Sequence, residues 1–174
     1  MNRALPAASL LFMAASTAVS QTIPPVQTKT LDGAAVVLPG DQRTKPVLLL
    51  VGFSHKSDDD FRKWAALARK PFVSDSRIDY YELVDLQGVP SLINKVIVHG
   101  MRQAIAEPRK AHFAPFCQHE AEWKTLVHCD EPAVAYVMLA DAQGHVLWQG
   151  KGPATEARAL ELESMISKLP ARAR

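Results

Sequence analysis

The sequence carries little net charge of either sign. Its 20 Lys and Arg residues nearly balance 18 Asp and Glu residues, which gives a formal net charge of +2 at pH 7. Nucleic-acid binding depends on a concentrated positive field that complements the phosphate backbone. Because the charges almost cancel, we expect no nucleic-acid partner.

Long apolar runs are scarce, and one of them stands at the amino terminus, from Ala4 to Val19. It follows Arg3 and leads into the small residues Ala18 and Ser20. A membrane-spanning helix needs about 20 consecutive apolar residues, and this run is shorter. The order of positive charge, apolar run and small residues predicts a secretory signal peptide over residues 1–20, with cleavage after Ser20. An uncleaved amino-terminal anchor is the alternative. Either way, we expect a periplasmic or otherwise exported protein.

The rest of the chain divides into two expected segments. Residues 21–43 form a linker and an amino-terminal hairpin, which turns at Asp32-Gly33, a dipeptide that favours tight turns. Residues 44–170 form a single domain. The 154 residues that follow residue 20 are enough to bury one hydrophobic core, so no cross-link is required for stability.

The clearest strand signal is the continuous apolar run from Pro46 to Phe53, which is typical of a strand buried on both faces. Ser57 then suits a helix cap, and Asp58 to Asp60 suit a first helical turn. Apolar residues follow at helical spacing and predict one buried helix face; they are Phe61, Trp64, Ala65 and Ala68.

The remaining pattern alternates strands and helices. We expect a strand over 77–86, a long amphipathic helix over 89–105, and a loop-rich insertion over 107–132 with a short helix near 120–127. A hairpin of strands 134–139 and 145–149 should follow, and then a final helix over 154–169. Much of the apolar face of that helix should come from Leu160, Met165, Ile166 and Leu169. This order predicts an α/β domain with a central mixed sheet and helices on both faces. It is the layout of thioredoxin-like proteins.

Thioredoxin-like proteins carry their redox-active cysteine pair between the first core strand and the following helix, where the helix amino terminus lowers the thiol pKa. The corresponding segment here, Phe53 to Phe61, contains no Cys, and its three Asp residues would raise the pKa of a nearby thiol. The cis-proline of thioredoxins would fall near Val134 or Ala135, and Pro132 comes too early. The ordinary Cys-x-x-Cys chemistry is therefore excluded.

Several stretches of the second half are similar to a non-redox branch of this superfamily. Gly100–Ile105, a basic stretch with His112, Ala135–Asp141 and the Trp-x-Gly-x-Gly run within Val146–Gly152 together resemble the mitochondrial ATP synthase assembly factors, over roughly residues 44–168. The resemblance implies an assembly or chaperone role for a membrane-sector protein. The partner would then be a protein client, including a membrane protein, with peripheral membrane contact.

Two features are candidates for client binding. The basic segment after the long helix offers a positively charged rim, and Trp148 stands beside Gly150 and Gly152, where another backbone could approach; the basic residues are Arg102, Arg109, Lys110 and His112. The alternative for the basic segment is a solvated helix end whose cations complement the helix dipole.

Cys117 and Cys129 are the only cysteines. In an exported chain they favour a structural disulfide, worth on the order of 3 kcal/mol for a loop of about a dozen residues. A redox-active pair is one alternative. A zinc or copper site formed with His119 and His128 is another, although the spacing is not that of a standard metal knuckle.

The function expected from the sequence is that of an exported thioredoxin-like binding protein without a Cys-x-x-Cys, which assists assembly of a membrane or envelope protein. The alternative is a thiol-disulfide or peroxide-handling oxidoreductase that uses Cys117 and Cys129. We expect no cofactor.

Overall fold

The computed structural model describes residues 21–40, 44–69 and 77–169. The predicted signal peptide lies outside these ranges. The described strands are β1 (Val26–Lys29), β2 (Ala35–Leu38), β3 (Val47–Gly52), β4 (Asp79–Asp85), β5 (Phe113–Phe116), β6 (Ala135–Ala140) and β7 (Val146–Lys151). The described helices are α1 (Asp58–Arg69), α2 (Ser91–Ala104), α3 (Glu107–Lys110), α4 (Glu120–Leu126) and α5 (Glu156–Ser167).

Five strands form one mixed sheet in the order β5-β4-β3-β6-β7. Strands β3, β4 and β5 are parallel, and β6 runs antiparallel to β3 and to β7. All residues of β3 and β6 are buried, because both faces of the sheet centre are covered. The sequence prediction of a mixed sheet with helices on both faces is confirmed.

Two hydrophobic layers flank the sheet. On one face, Phe61 and Trp64 of α1 and Leu162 and Ile166 of α5 pack against alternate residues of β3 and β6, and half-buried residues of α2 border the same layer. On the other face, the β1–β2 hairpin and Trp123 of α4 cover the remaining alternate residues. The hairpin, which turns at Asp32-Gly33 as predicted, therefore contributes to the core.

The hairpin also covers one edge of the sheet. The Leu31 N–H donates to the Phe113 carbonyl at 2.9 Å, and the Thr28 hydroxyl donates to the Pro115 carbonyl. These contacts occupy backbone groups that the edge strand β5 would otherwise present to solvent.

The predicted loop-rich insertion over 107–132 is in part wrong, because it contains strand β5 and the short helix α3 as well as the expected α4. Pro115 lies inside β5, and a proline in a four-residue run is a poor strand signal. Here it is tolerated because β5 lies at the edge of the five-stranded sheet.

Two details of the helices also differ from the sequence predictions. Ser54, not Ser57, caps the chain after β3: its hydroxyl oxygen accepts from the Lys56 N–H and begins a 3-10 turn, His55–Ser57. In α5, Leu162 rather than Leu160 faces the core, and Leu160 is 65% exposed. Within the described ranges, no helix combines the length and apolar character needed to cross a membrane.

Candidate functional site at the carboxyl ends of the parallel strands

The carboxyl ends of β3, β4 and β5 meet at one edge of the sheet, since the three strands are parallel. In open α/β sheets this edge is where ligands bind. The segments that leave it are Phe53–Ser57 after β3, residues 86–90 after β4, and Cys117–His119 after β5. We therefore take this edge as the candidate site.

The segment after β3 is packed tightly onto the strand. Ser57 is buried, and its hydroxyl donates to the Ser54 carbonyl at 2.7 Å. A Cβ atom at Gly52 would lie 2.7 Å from the Phe61 ring and 2.8 Å from Ser57 Oγ, so only glycine fits at the end of β3. The buried hydroxyl at this turn is thus satisfied by the local backbone.

A polar cluster lies beside this segment. The Lys124 ammonium donates to the Glu120 carboxylate and also lies 5.8 Å from the centroid of the Phe53 ring. Asp85, at the end of β4, accepts from the Gln87 N–H at 2.8 Å. Burial raises the pKa of Asp85 to about 6, and the Glu120 carboxylate contributes in the same direction, while the Gln87 N–H and Lys124 oppose the shift. The pKa of the Asp85 carboxyl therefore lies well above that of an ordinary aspartate.

Sequence reasoning missed this cluster, because Asp85, Glu120 and Lys124 come from two elements 35 positions apart at their nearest members. Only the topology, which places α4 over the end of β4, joins them. A polar residue at the end of a predicted buried strand was the one available signal.

The two cysteines are free thiols in the structure, so the predicted disulfide is not formed in it. Cys117 is exposed, and the Asn94 side-chain amide donates to its sulfur at 3.1 Å. Cys129 is partly buried against the core layer that contains Trp123 and Tyr136. Burial raises the pKa of Tyr136 to about 12, and the neighbouring Cys129 adds to the shift. The Cys117–Cys129 disulfide stays a prediction.

The alternative metal site is not assembled. Within residues 21–40, 44–69 and 77–169, no three His, Cys, Asp or Glu side chains are grouped so that they could hold a metal ion. His119 Nδ1 lies 2.9 Å from a Glu122 oxygen. His128 has a left-handed backbone with φ of 49° and follows α4, where the Cys129 N–H returns to the Lys124 carbonyl. His128 therefore forms part of a helix end.

The basic segment is mostly tied into the fold. Arg109 donates from Nε to Glu82 Oε2 at 2.7 Å, and its side chain is only 12% exposed. Lys110 donates to Glu107 at 2.6 Å, and His112 Nδ1 lies 3.1 Å from the Tyr80 carbonyl oxygen. Arg102 is exposed, although its Nε donates to the Leu31 carbonyl at 3.1 Å.

Glu82 is a second group that sequence reasoning missed. It is fully buried in β4, and its Oε1 has no hydrogen-bond partner among the described residues. Burial works to lower the pKa of Arg109, but the hydrogen bond and charge of Glu82 outweigh it and the net shift is upward. A charged residue in the middle of a predicted strand signalled such a pair, since buried charges require partners.

Trp148 lies at the opposite end of the sheet from the basic segment. Its ring packs edge-on against Trp64, with centroids 6.5 Å apart, and a Cβ atom at Gly150 would lie 2.9 Å from it. The Trp64 indole N–H donates to the Gly152 carbonyl at 2.8 Å. The Trp-x-Gly-x-Gly run thus fastens β7 to α1, and the structure does not bring Trp148 together with the basic residues.

A shallow cleft of ≈ 240 Å³ opens between the end of α4 and the β6–β7 pair. Asp130 and Lys151 form an ion pair at its rim, with an N–O distance of 2.6 Å. The floor is formed by Tyr136 and Met138. The two rim charges therefore pair with each other, and His128 and Gln149 are further polar residues of the lining.

Sequence comparison finds no matching family model and no matching curated protein. Among solved structures, StoA from Bacillus subtilis superposes with a TM-score of 0.55 at 14% identity, over 82% of this chain and 96% of StoA. The exposed lipoprotein thioredoxin Etrx1 from Streptococcus pneumoniae superposes with a TM-score of 0.58 at 10% identity, over 83% of this chain and 99% of Etrx1. The chain has a thioredoxin-like fold. At these identities the likeness concerns the fold alone, and the resemblance to ATP synthase assembly factors stays a prediction.

In thioredoxins the redox-active cysteine pair follows the first core strand. In this chain the same position is occupied by residues Ser54–Ser57 after β3, which we call the serine turn. There the Ser54 hydroxyl oxygen accepts from the Lys56 N–H, the Ser57 hydroxyl donates to the Ser54 carbonyl, and the segment contains no sulfur. All described peptide bonds are trans, including those at Val134 and Ala135, the place where the cis-proline of a thioredoxin would fall. The described turn after β3 therefore shares the fold position of the thioredoxin cysteine pair and carries serines there instead.

Proposed function

We propose that this protein is an exported thioredoxin-like binding protein that assists assembly of a membrane or envelope protein. The observation that carries the proposal is the serine turn after β3, whose buried Ser57 donates to the Ser54 carbonyl. A serine hydroxyl does not undergo thiol–disulfide exchange, so the fold is retained without a thiol pair at this position. A fold retained without its chemistry is best explained by binding.

Export is supported by two observations of different kinds. Residues 1–20 have the order of charge, apolar run and small residues that signal peptidase substrates share. One structural neighbour, the pneumococcal Etrx1, is described as an exposed lipoprotein thioredoxin. We propose that this chain likewise works outside the cytoplasm.

Of the five residues predicted to bind a client, Arg102 is the one we propose to reach it directly. It lies on the exposed side of α2. Arg109, Lys110 and His112 are engaged with Glu82, Glu107 and the β4 backbone, so we propose that they position the basic segment. We assign Trp148 to the packing of α1 against β7.

The rival function is a thiol-disulfide or peroxide-handling oxidoreductase that uses Cys117 and Cys129. A cycling pair needs both sulfurs within about 2 Å of each other in the oxidised state. It also needs at least one thiol that is accessible and activated by a cation or a helix amino terminus. Cys117 is accessible, but its described side-chain hydrogen-bond partner is the neutral amide of Asn94.

The test compares the native protein with the Cys117→Ser/Cys129→Ser variant. We expect neither form to oxidise a model dithiol or consume peroxide, and we expect both to restore envelope protein assembly in cells that lack the gene. Counting the free thiols of the native protein also tests whether Cys117 and Cys129 form a disulfide. Turnover by the native protein that the double variant loses, together with failed assembly, would replace binding with oxidoreductase chemistry.

A further inference from the structure

The outward side of α2 combines exposed aliphatic side chains with cations. Leu92 is 78% exposed, Ile93 is 53% exposed and Val96 is 70% exposed. None of the 14 residues of α2 is buried. No other described helix exposes as many large aliphatic side chains as α2. Clusters of exposed aliphatic side chains mark interaction surfaces.

The charge on this helix has one sign. Residues 91–104 include Lys95, His99 and Arg102 and no Asp or Glu. Lys95 has no ion pair within the described parts of the chain. Nearby acidic groups are occupied: Glu107 pairs with Lys110, and Glu82 pairs with Arg109. The positive charge of the outward side is therefore not neutralised by the fold.

Helical geometry places these two sets side by side. At 3.6 residues per turn, Leu92, Val96 and Ile93 form one stripe, and Lys95, His99 and Arg102 fall along one flank of it. Val98, Met101 and Ile105 lie on the opposite side, half-buried against the core. Because that side holds α2 to the domain, the stripe and its basic flank project outward together. We call this surface the α2 outer face.

We propose that the α2 outer face docks on an anionic lipid bilayer. A convex helix surface offers no groove for a partner helix, whereas a bilayer accepts a shallow layer of aliphatic side chains. The flanking cations complement acidic lipid headgroups at the depth where these side chains would enter. The inference stands on α2 alone and does not depend on the proposed client.

The test measures co-flotation of purified protein with vesicles of equal parts phosphatidylglycerol and phosphatidylcholine, beside vesicles of phosphatidylcholine alone. We expect binding to the anionic vesicles that weakens with salt. The Leu92→Asp/Val96→Asp variant loses the aliphatic side chains that would enter the bilayer. Its affinity for the anionic vesicles should be lower by at least about tenfold. Lys95→Gln/Arg102→Gln should reduce it several-fold and flatten the salt dependence.

Leu160→Asp is the matched control, because Leu160 is an exposed leucine of helix α5, 65% accessible, outside the α2 outer face. Its binding should equal that of the native chain. All variants keep the same amino terminus, so any contribution of residues 1–20 cancels, and thermal melts verify folding. Native protein that ignores anionic vesicles, or a Leu92→Asp/Val96→Asp variant that binds them normally, would overturn the proposal. Normal vesicle binding with lost client assembly in that variant would identify a protein interface instead.

Discussion

Helices α1 and α2 follow neighbouring parallel strands, yet the domain uses them in opposite ways. In α1, Phe61, Trp64 and Ala65 are buried, and three Asp residues form the first turn. In α2, no residue is buried and no acidic residue is present. Helices at equivalent positions in the fold can therefore be buried in the core or left exposed, depending on their side chains.

Emptying the core position of Trp64 in α1 should cost more stability than any other change considered. Trp64 is 1% exposed, and its indole N–H donates to the Gly152 carbonyl. Trp64→Ala should lower the free energy of unfolding by about 3–5 kcal/mol, because it empties the core and orphans that carbonyl. Urea unfolding measures the loss, and Trp64→Phe, which keeps an aromatic ring, should lose clearly less. A loss under about 1 kcal/mol would mean that α1 is not the structural helix.

The next prediction concerns the buried Glu82–Arg109 ion pair, whose arginine lies in α3. Arg109→Met would leave Glu82 charged and buried without its cation, which costs about 3 kcal/mol. Combining it with Glu82→Gln should restore much of the stability. Arg109 lies in α3, which follows α2 directly. In the Arg109→Met variant, amide hydrogen exchange should therefore accelerate more in α2 than in α1. Equal acceleration in both helices would contradict a local anchoring role for this pair.

Asp85 makes the segment before α2 sensitive to pH. Its pKa is raised by burial to about 6 in the folded chain, against about 3.9 when unfolded. The folded state therefore binds more protons than the unfolded state between about pH 4 and pH 6, and this group lowers stability as the pH rises through that window. Asp85→Asn should gain about 1 kcal/mol at pH 7, a value reduced for partial exposure, and nothing below about pH 4.

Denaturant unfolding at pH 7 and below about pH 4 checks this prediction. Asp141→Asn is a control with the opposite expected sign. Burial acts to raise the pKa of Asp141, but hydrogen bonds from His145 and the backbone outweigh it and lower that pKa. That variant should lose stability at pH 7. An Asp85→Asn gain of the same size at both pH values would show that packing, not ionisation, is responsible.

The smallest effect is expected on the α2 outer face. Leu92→Ser and Val96→Ser should each change the free energy of unfolding by no more than about 0.5 kcal/mol, since both side chains already contact solvent. The same unfolding measurement applies. A loss above about 2 kcal/mol would mean that these residues belong to the core and that α2 resembles α1.

Much of the fold could be predicted because its elements have local signatures. Strand β3 is a continuous apolar run, and β6 and β7 flank a recognisable hairpin turn. Strand β5 could not be predicted in this way, because Pro115 interrupts a run of four residues and only pairing with β4 makes it a strand.

The candidate site was harder to predict than the fold. The absence of cysteine after β3 is visible in the sequence, but the Asp85 cluster and the Glu82–Arg109 pair depend on contacts between distant elements. The periodicity of α2 located the helix correctly, yet it could not separate residues that face the core from those that face solvent. That division depends on how much of α2 the domain covers, which is a tertiary property.

The most direct test of the account places a photo-reactive amino acid at position 92 of α2 or at position 160 of α5 in living cells. Both positions are exposed leucines, so their intrinsic reactivity is matched. We predict ultraviolet-dependent adducts with membrane lipid from position 92 and none from position 160. Equal adducts from both positions, or lipid adducts absent from position 92, would contradict the claim that this thioredoxin-like domain binds membranes through α2.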